Sequence, residues 1–260
     1  MGGKEAGAEA IDALVLAGGR ISGLFARAAG TTIKALVPVR GSPVIRRVVE
    51  ALQCASGIDR VCAVGPDAVR DVLGDRCLWQ KDTGSAPGNL RAGIERLAGD
   101  DTRRILVCAS DLPAIDAAFV QDFLQRAPRE ADVCVPAIRK AAFVATFPGN
   151  LGIYIRLAEG AFTGGGQLLI RPRAVLDNMP LVQGLFSNRK TQIGMARALG
   201  AGLVWKLFTR RLAVGEIEAR VSALTRCYCR AVLDCHAELA FDIDNLLDLR
   251  YAERWLARHG

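Results

Sequence analysis

The chain has 260 residues, 51% of them hydrophobic and 23% charged, which is enough to bury one sizeable core without requiring several. A net charge of +7 favours anionic ligands in general, but scattered cations, 6% aromatics and no helix-turn-helix, zinc-finger or RNA-binding pattern argue against nucleic acid. Met1 to Ala10 is small and polar with no apolar run, so it reads as a frayed tail and not a signal peptide, and a cytoplasmic protein is expected.

In chain order, strands are predicted at Asp12 to Ala17, Arg60 to Val64, Arg103 to Ala109, Asp132 to Ala137, Gln167 to Arg171 and Ala240 to Ile243. Helices are predicted at Ser42 to Leu52, Ala68 to Leu73, Gly88 to Leu97 and Asp116 to Arg126, with Pro43 in a first turn and Asp116 as an N-cap. Short branched-apolar runs alternating with helices specify an α/β fold: three layers, α/β/α, around a mostly parallel, Rossmann-like sheet. Residues 180–225 break the alternation and read as a helical insertion within one domain spanning 1–260. Within the insertion, Ile193 to Phe208 is apolar but carries Arg197 and Lys206, a poor membrane span; a helix packed on the sheet is the main reading and contact with a membrane surface the minority one.

The eight cysteines are spread along the chain, and Cys62, Cys108 and Cys134 fall in apolar runs, as buried reduced thiols do. Cys227, Cys229, Cys235 and His236 are close in sequence but lack paired C-x-x-C knuckles, and Cys227 and Cys229 fit one face of a strand better than a zinc site. His236 and His259 receive no catalytic role.

The first strand runs through Leu16 and Ala17 into Gly18-Gly19-Arg20, a turn able to aim backbone N–H groups at phosphate oxygens. It is neither G-x-G-x-x-G nor a G-K-[ST] phosphate loop. Downstream, Lys34 opens an apolar stretch with Pro38, a glycine turn at Gly41, Pro43 and Ile45. The combination L-A-G-G, then K-A-L-V-P-V-x-G-x-P-h-I (h apolar), resembles the opening of the MobA-like NTP transferases, within the nucleotidyltransferase superfamily. Where many relatives continue G-x-G/S-x-R-M, this chain has Ile21-Ser22-Gly23-Leu24-Phe25, leaving Arg20 and Arg27 both as candidates for the loop arginine.

Three later segments match the same family in order. Asp111, in Ser110-Asp111-Leu112-Pro113, is similar to the strand-terminal D-h-P that holds the metal, and ligands of open α/β sheets bind at such strand ends. Gly88-Asn89 and Gly93 look like the family's helix start near the nucleobase, where Asn89 could read a base edge or cap the helix. Asp242, Asp244 and Asp248 resemble the closing D-h-D-x-x-x-D-L element, in which Asp244 would be the second metal ligand, facing Asp111. The turn Thr163-Gly164-Gly165 matches the one lining the acceptor pocket, and the Arg189-Lys190 pair that follows in a subset of relatives suggests Lys190 as a phosphate contact, with a solvated surface lysine as the equal alternative.

The resemblance implies an Mg²⁺-dependent enzyme that transfers a nucleoside monophosphate from a nucleoside triphosphate to a phosphorylated or related small acceptor. Lys34 and Asp111 would be catalytic; Leu16, Ala17, Gly18, Gly19, Arg20 and Asn89 would complete the nucleotide site. The rivals are a nucleotide-sugar-dependent glycosyltransferase, whose D-x-D would stand in mid-chain, and a non-catalytic nucleotide-binding module. Base, acceptor and oligomeric state are left open by the pattern.

Overall fold

The computed structural model of the protein describes residues 10–97, 103–188 and 201–259. The N-terminal tail up to residue 9, Arg189, Lys190 and the first part of the apolar stretch 193–208 lie outside the described residues.

The chain runs β1 (Ile11–Leu16), α1 (Gly23–Ala29), a 3₁₀ turn (Lys34–Leu36), a hairpin of β2 (Pro38–Val39) and β3 (Ser42–Pro43), α2 (Val44–Cys54), β4 (Ile58–Gly65), α3 (Asp67–Leu73), β5 (Leu78–Lys81), α4 (Ala86–Leu97) and β6 (Ile105–Ala109). It continues through α5 (Ala117–Arg126), β7 (Val133–Arg139), α6 (Lys140–Thr146), β8 (Ile155–Leu157), β9 (Gly160–Gly164), β10 (Gln167–Ile170), α7 (Pro172–Leu176) and α8 (Met179–Asn188). The last elements are α9 (Ala201–Phe208), α10 (Val214–Thr225), β11 (Cys229–Val232) and α11 (Leu246–His259).

Among the described residues the main sheet has nine strands in the order β5-β4-β1-β6-β10-β7-β9-β8, with β11 paired to β7. β1 lies parallel between β4 and β6. Its residues are apolar on both faces because both faces are covered: Ala13 and Val15 join the core formed with α2, α5 and α11, whereas Leu14 packs with Leu90 and Ile94 of α4. The exception is Asp12, buried yet held by Arg60, whose Nε lies 3.0 Å from Oδ1 and Nη2 2.5 Å from Oδ2. The result is an α/β fold with a mostly parallel core.

Several expectations need correction. The strand at Gln167–Ile170 forms, but antiparallel to both β6 and β7, because it follows β9 after two residues with no crossover helix to reverse the chain. Ala240 to Ile243 is not a strand; it follows a 3₁₀ turn (Ala237–Leu239) as irregular chain. The second helix starts at Val44, with Pro43 at its N-cap position at the end of β3. The apolar stretch after Lys34 is a 3₁₀ turn that leads into the two-residue strand β2. The strand expected at Cys227 and Cys229 forms as β11 but includes only Cys229, and the short strands β5, β8 and β9 were not anticipated. Asp116 does cap α5, its side chain accepting from Ala118 N at 2.9 Å.

Of the segment 180–225, residues 180–188, in α8, and 201–225, with α9 and α10, are described. No described side chain of α9 or α10 is buried. Among the described residues no helix is long and apolar enough to cross a membrane.

Candidate active site

The glycine turn continues directly from the sheet. Ala17 N donates to Val64 O at 2.8 Å, completing the ladder; beyond it, the N–H groups of Gly18 and Gly19 meet no protein acceptor among the described residues. Two bonds clasp the loop that follows: Ile21 N to Thr32 O and Lys34 N to Gly19 O, both 2.9 Å. The unusual Ile21 to Phe25 stretch has a packing role, because Ile21, Phe25 and Ala29 sink into the core and fix α1 beside the turn. Of the two candidate arginines, Arg20 lines the cavity over this turn and pairs with Asp82 at 3.6 Å, whereas Arg27 is exposed and is not among the lining residues.

The clasp brings Lys34 in front of the carboxylates. Its ammonium contacts Asp111 Oδ2 and lies 2.5 Å from Asp244 Oδ1. Burial opposes the charge on Lys34, but the charges and hydrogen bonds of Asp111 and Asp244 outweigh it and hold the group above its ordinary pKa. Asp111 follows β6 by two residues and is buried; burial raises its pKa, against the pull of Lys34. Asp244 arrives from the far end of the chain, placed by Ile243 N donating to Asp111 O at 3.2 Å and by Gly166 N donating to Leu239 O at 2.7 Å. Asp248 fixes the turn behind it: its Oδ2 accepts from Asp244 N and Asn245 N, while Asn245 Oδ1 accepts from Leu247 N and Asp248 N, a reciprocal cap at the start of α11.

Asp242 joins this cluster, which the motif alone did not assign to it. Oxygens of Asp111, Asp242 and Asp244 lie within 4.8 Å of one another. Asp242 is exposed by surface area yet closely surrounded by protein, and that desolvation, with the like charges of Asp111 and Asp244, pushes its pKa up to about 7. Among the described residues Cys227, Cys229, Cys235 and His236 form no such group, and all eight cysteines are free thiols.

Two cavities flank the cluster. One, of about 830 Å³, lies over the glycine turn and is lined by Leu16, Gly18, Gly19, Arg20, Lys34 and Asn89, among others. Ala17, buried beneath, supports the turn without lining it. The other, of about 410 Å³, is lined by Thr163, Gly164 and Gly165 together with Phe143, Asp242 and Asp244. Gly165, Gly166 and Asp244 line both.

Asn89 lies inside α4 and is buried, with its amide engaged. Oδ1 accepts from Thr83 N at 2.7 Å and Thr83 Oγ1 at 2.8 Å, and Nδ2 donates to Asp82 Oδ1 at 2.8 Å. It braces the loop 82–85 against the glycine turn so tightly that a Cβ on Gly18 would come within 2.3 Å of Nδ2. Gly93, four residues on, allows α4 to approach the sheet: a Cβ there would lie 2.2 Å from Leu14 Cδ1.

Residues 13–190 match the model of the MobA-like NTP transferase domain. The chain is similar to a solved hypothetical transferase from Thermus thermophilus, at 34% identity and a TM-score of 0.83 over 92% of this chain and 99% of that one. It shares its fold with a nucleotidyl transferase from Methanothermobacter thermautotrophicus (21% identity, TM-score 0.58, 95% and 98% of the two chains). It also shares its fold with a CMP:2-keto-3-deoxy-manno-octonic acid synthetase solved with CTP (15% identity, TM-score 0.60, 97% and 100%). No curated protein matches. With the family model covering more than half of the sequence, from the first strand past the turn at Thr163-Gly164-Gly165, the chain belongs to the MobA-like NTP transferase family.

Proposed function

We propose that the protein is a nucleotidyltransferase that moves a nucleoside monophosphate from a nucleoside triphosphate to a small acceptor, phosphorylated or of related kind, and releases pyrophosphate. The observation that carries this reading is the shared wall: Asp244, Gly165 and Gly166 line both the cavity over the glycine turn and the neighbouring one, so donor and acceptor would meet beside the carboxylate cluster.

The donor set suits a hard divalent cation. It is all oxygen, and the buried Oδ2 of Asp111 receives no hydrogen bond of good geometry, its contact being the Lys34 ammonium. Asp111 and Asp244 would hold Mg²⁺, with Asp242 beside them. Bound there, the ion supplies charge neutralisation for the triphosphate. The unpartnered N–H groups of Gly18 and Gly19 suit phosphate oxygens, and Lys34 stabilises negative charge as it develops. An acceptor oxygen attacks the α-phosphorus, the α–β bridging P–O bond breaks, and pyrophosphate leaves with the bonding pair. A phosphate dianion as acceptor needs no proton removed, so positioning and charge, and not a protein nucleophile, are the requirements.

Pyrophosphate release should fall at least on the order of a hundredfold in Asp111→Asn and Lys34→Ala, with the fold retained by circular dichroism. Full activity in either variant sinks the assignment. A thermal-shift screen of the nucleoside triphosphates with Mg²⁺ identifies the base, since a ligand that binds only the folded chain raises its melting temperature. Turnover of nucleotide sugars in place of triphosphates would replace this reading with the glycosyltransferase one.

A further inference from the structure

A third cavity, of about 260 Å³ with almost wholly apolar walls, lies between α10 and the sheet. Val135, Ile155 and Phe162 line it from the strands, and Ile217 and Val221 from α10. Its one acid, Glu218, is already engaged, with Arg230 Nη1 at 2.9 Å and Ala231 N at 2.8 Å, so it offers no free charge.

Thr163 and Gly164 line both this slot and the acceptor cavity, and a Cβ at Gly164 would meet nothing within 4 Å. A row of large aliphatic residues connects the two: Leu151 and Ile153 line the acceptor cavity, Ile155 and Leu157 the slot. Their two-residue spacing is the one that sets side chains along one side of an extended chain. Leu151 is 98% exposed, Ile153 89% and Ile155 46%. Single exposed aliphatic residues are ordinary; four at alternate positions, running from the cavity beside the carboxylates to an apolar one, have the form of a binding track.

The geometry points to an acceptor with two parts: a phosphate head beside the carboxylate cluster and an alkyl chain that lies along Leu151, Ile153 and Ile155 into the slot beneath α10. The head group rests on the nucleotidyltransferase reading; the chain rests on the track and the slot alone. The acceptor class is therefore an alkyl phosphate, and Leu151 and Ile153 are specificity-determining residues.

The test compares decyl phosphate, below its critical micelle concentration, with methyl phosphate, by calorimetry on the full chain with Mg²⁺ and the triphosphate that binds best. Decyl phosphate should bind at least tenfold more tightly than methyl phosphate, and Ile153→Asp, a change at an exposed position, should remove that difference between the two probes. Equal affinity for the two probes overturns the inference, as does a chain-dependent gain that survives in both Ile153→Asp and Leu151→Asp. Sedimentation velocity covers the remaining occupant: a dimer that Ile153→Asp dissociates, with no gain from the decyl chain, assigns the row to a second copy and overturns the inference. If no triphosphate binds, the reaction reading fails, while the same comparison made with Mg²⁺ alone still decides for or against the chain.

Discussion

Lys34 Nζ lies 2.5 Å from Asp244 Oδ1 although 210 residues separate them, and the same ammonium contacts Asp111. A lysine at this point opposes the mutual repulsion of the carboxylates and occupies space beside the oxygens that a cation would use.

Replacing that charge should have opposite effects on cation binding and on turnover. Lys34→Met should increase Mn²⁺ affinity of the nucleotide-free protein on the order of tenfold, since a nearby like charge is worth several kcal/mol before screening at an effective dielectric near 20. Pyrophosphate release should fall in the same variant. Mn²⁺ titration followed by electron paramagnetic resonance reads the first; weaker Mn²⁺ binding than in the wild type contradicts the arrangement.

Gly93 is a packing residue. Gly93→Ala improves intrinsic helix propensity in α4 by about 1 kcal/mol, yet its Cβ would meet Leu14 at 2.2 Å, inside the core between α4 and β1. Overpacking of this kind costs about 1–3 kcal/mol, so the net effect should be destabilising, read as a lower urea midpoint at unchanged m. A stabilised variant would show that α4 can move away from the sheet at little cost.

Burial pushes the thiols of Cys62 and Cys108 up to about 12, and those of Cys134 and Cys235 up to about 11, from an ordinary 9.0. A raised acid pKa means that the folded chain holds protons the unfolded chain has lost. Stability from these groups is therefore fully present below about pH 9 and is lost as pH climbs through 11 to 12. Urea midpoints should decline from pH 9 upward, and a variant with Cys62→Ala and Cys108→Ala should decline less. Under native conditions at pH 8 the exposed Cys54 should react first with a disulfide reagent, with Cys62 and Cys108 released only on unfolding.

What the sequence made legible were the points where a strand delivers a residue to the ligand edge of the sheet. Gly18, Gly19 and Asp111 stand just after buried apolar runs, and their order along the chain, with Lys34 between and Asp244 at the end, carried the family resemblance. Three features were hidden. The direction of β10 depends on the β9 connection, and a four-residue strand carries no sign of its own direction. Alternation puts Asp242 and Asp244 on one side of an extended chain, but what brings Asp242 to Asp111 is that backbone bonds of Leu239 and Ile243, and not a ladder, hold this segment, which the sequence does not reveal. Asn89 looked equally fit to read a base or cap a helix, and only the positions of Asp82 and Thr83 disclose that its amide is engaged as a brace.

The bonds from Leu239 and Ile243 to Gly166 and Asp111 set the order in which the protein matures. Of the cluster, a chain elongated only as far as β10 contains the glycine turn, Lys34 and Asp111, but a single carboxylate. The second and third arrive only with the segment just before α11. The carboxylate cluster is thus completed late in synthesis, by contacts of very long sequence separation, which are slow to form. A nascent or C-terminally clipped chain has the glycine turn, Lys34 and Asp111 without the complete carboxylate cluster.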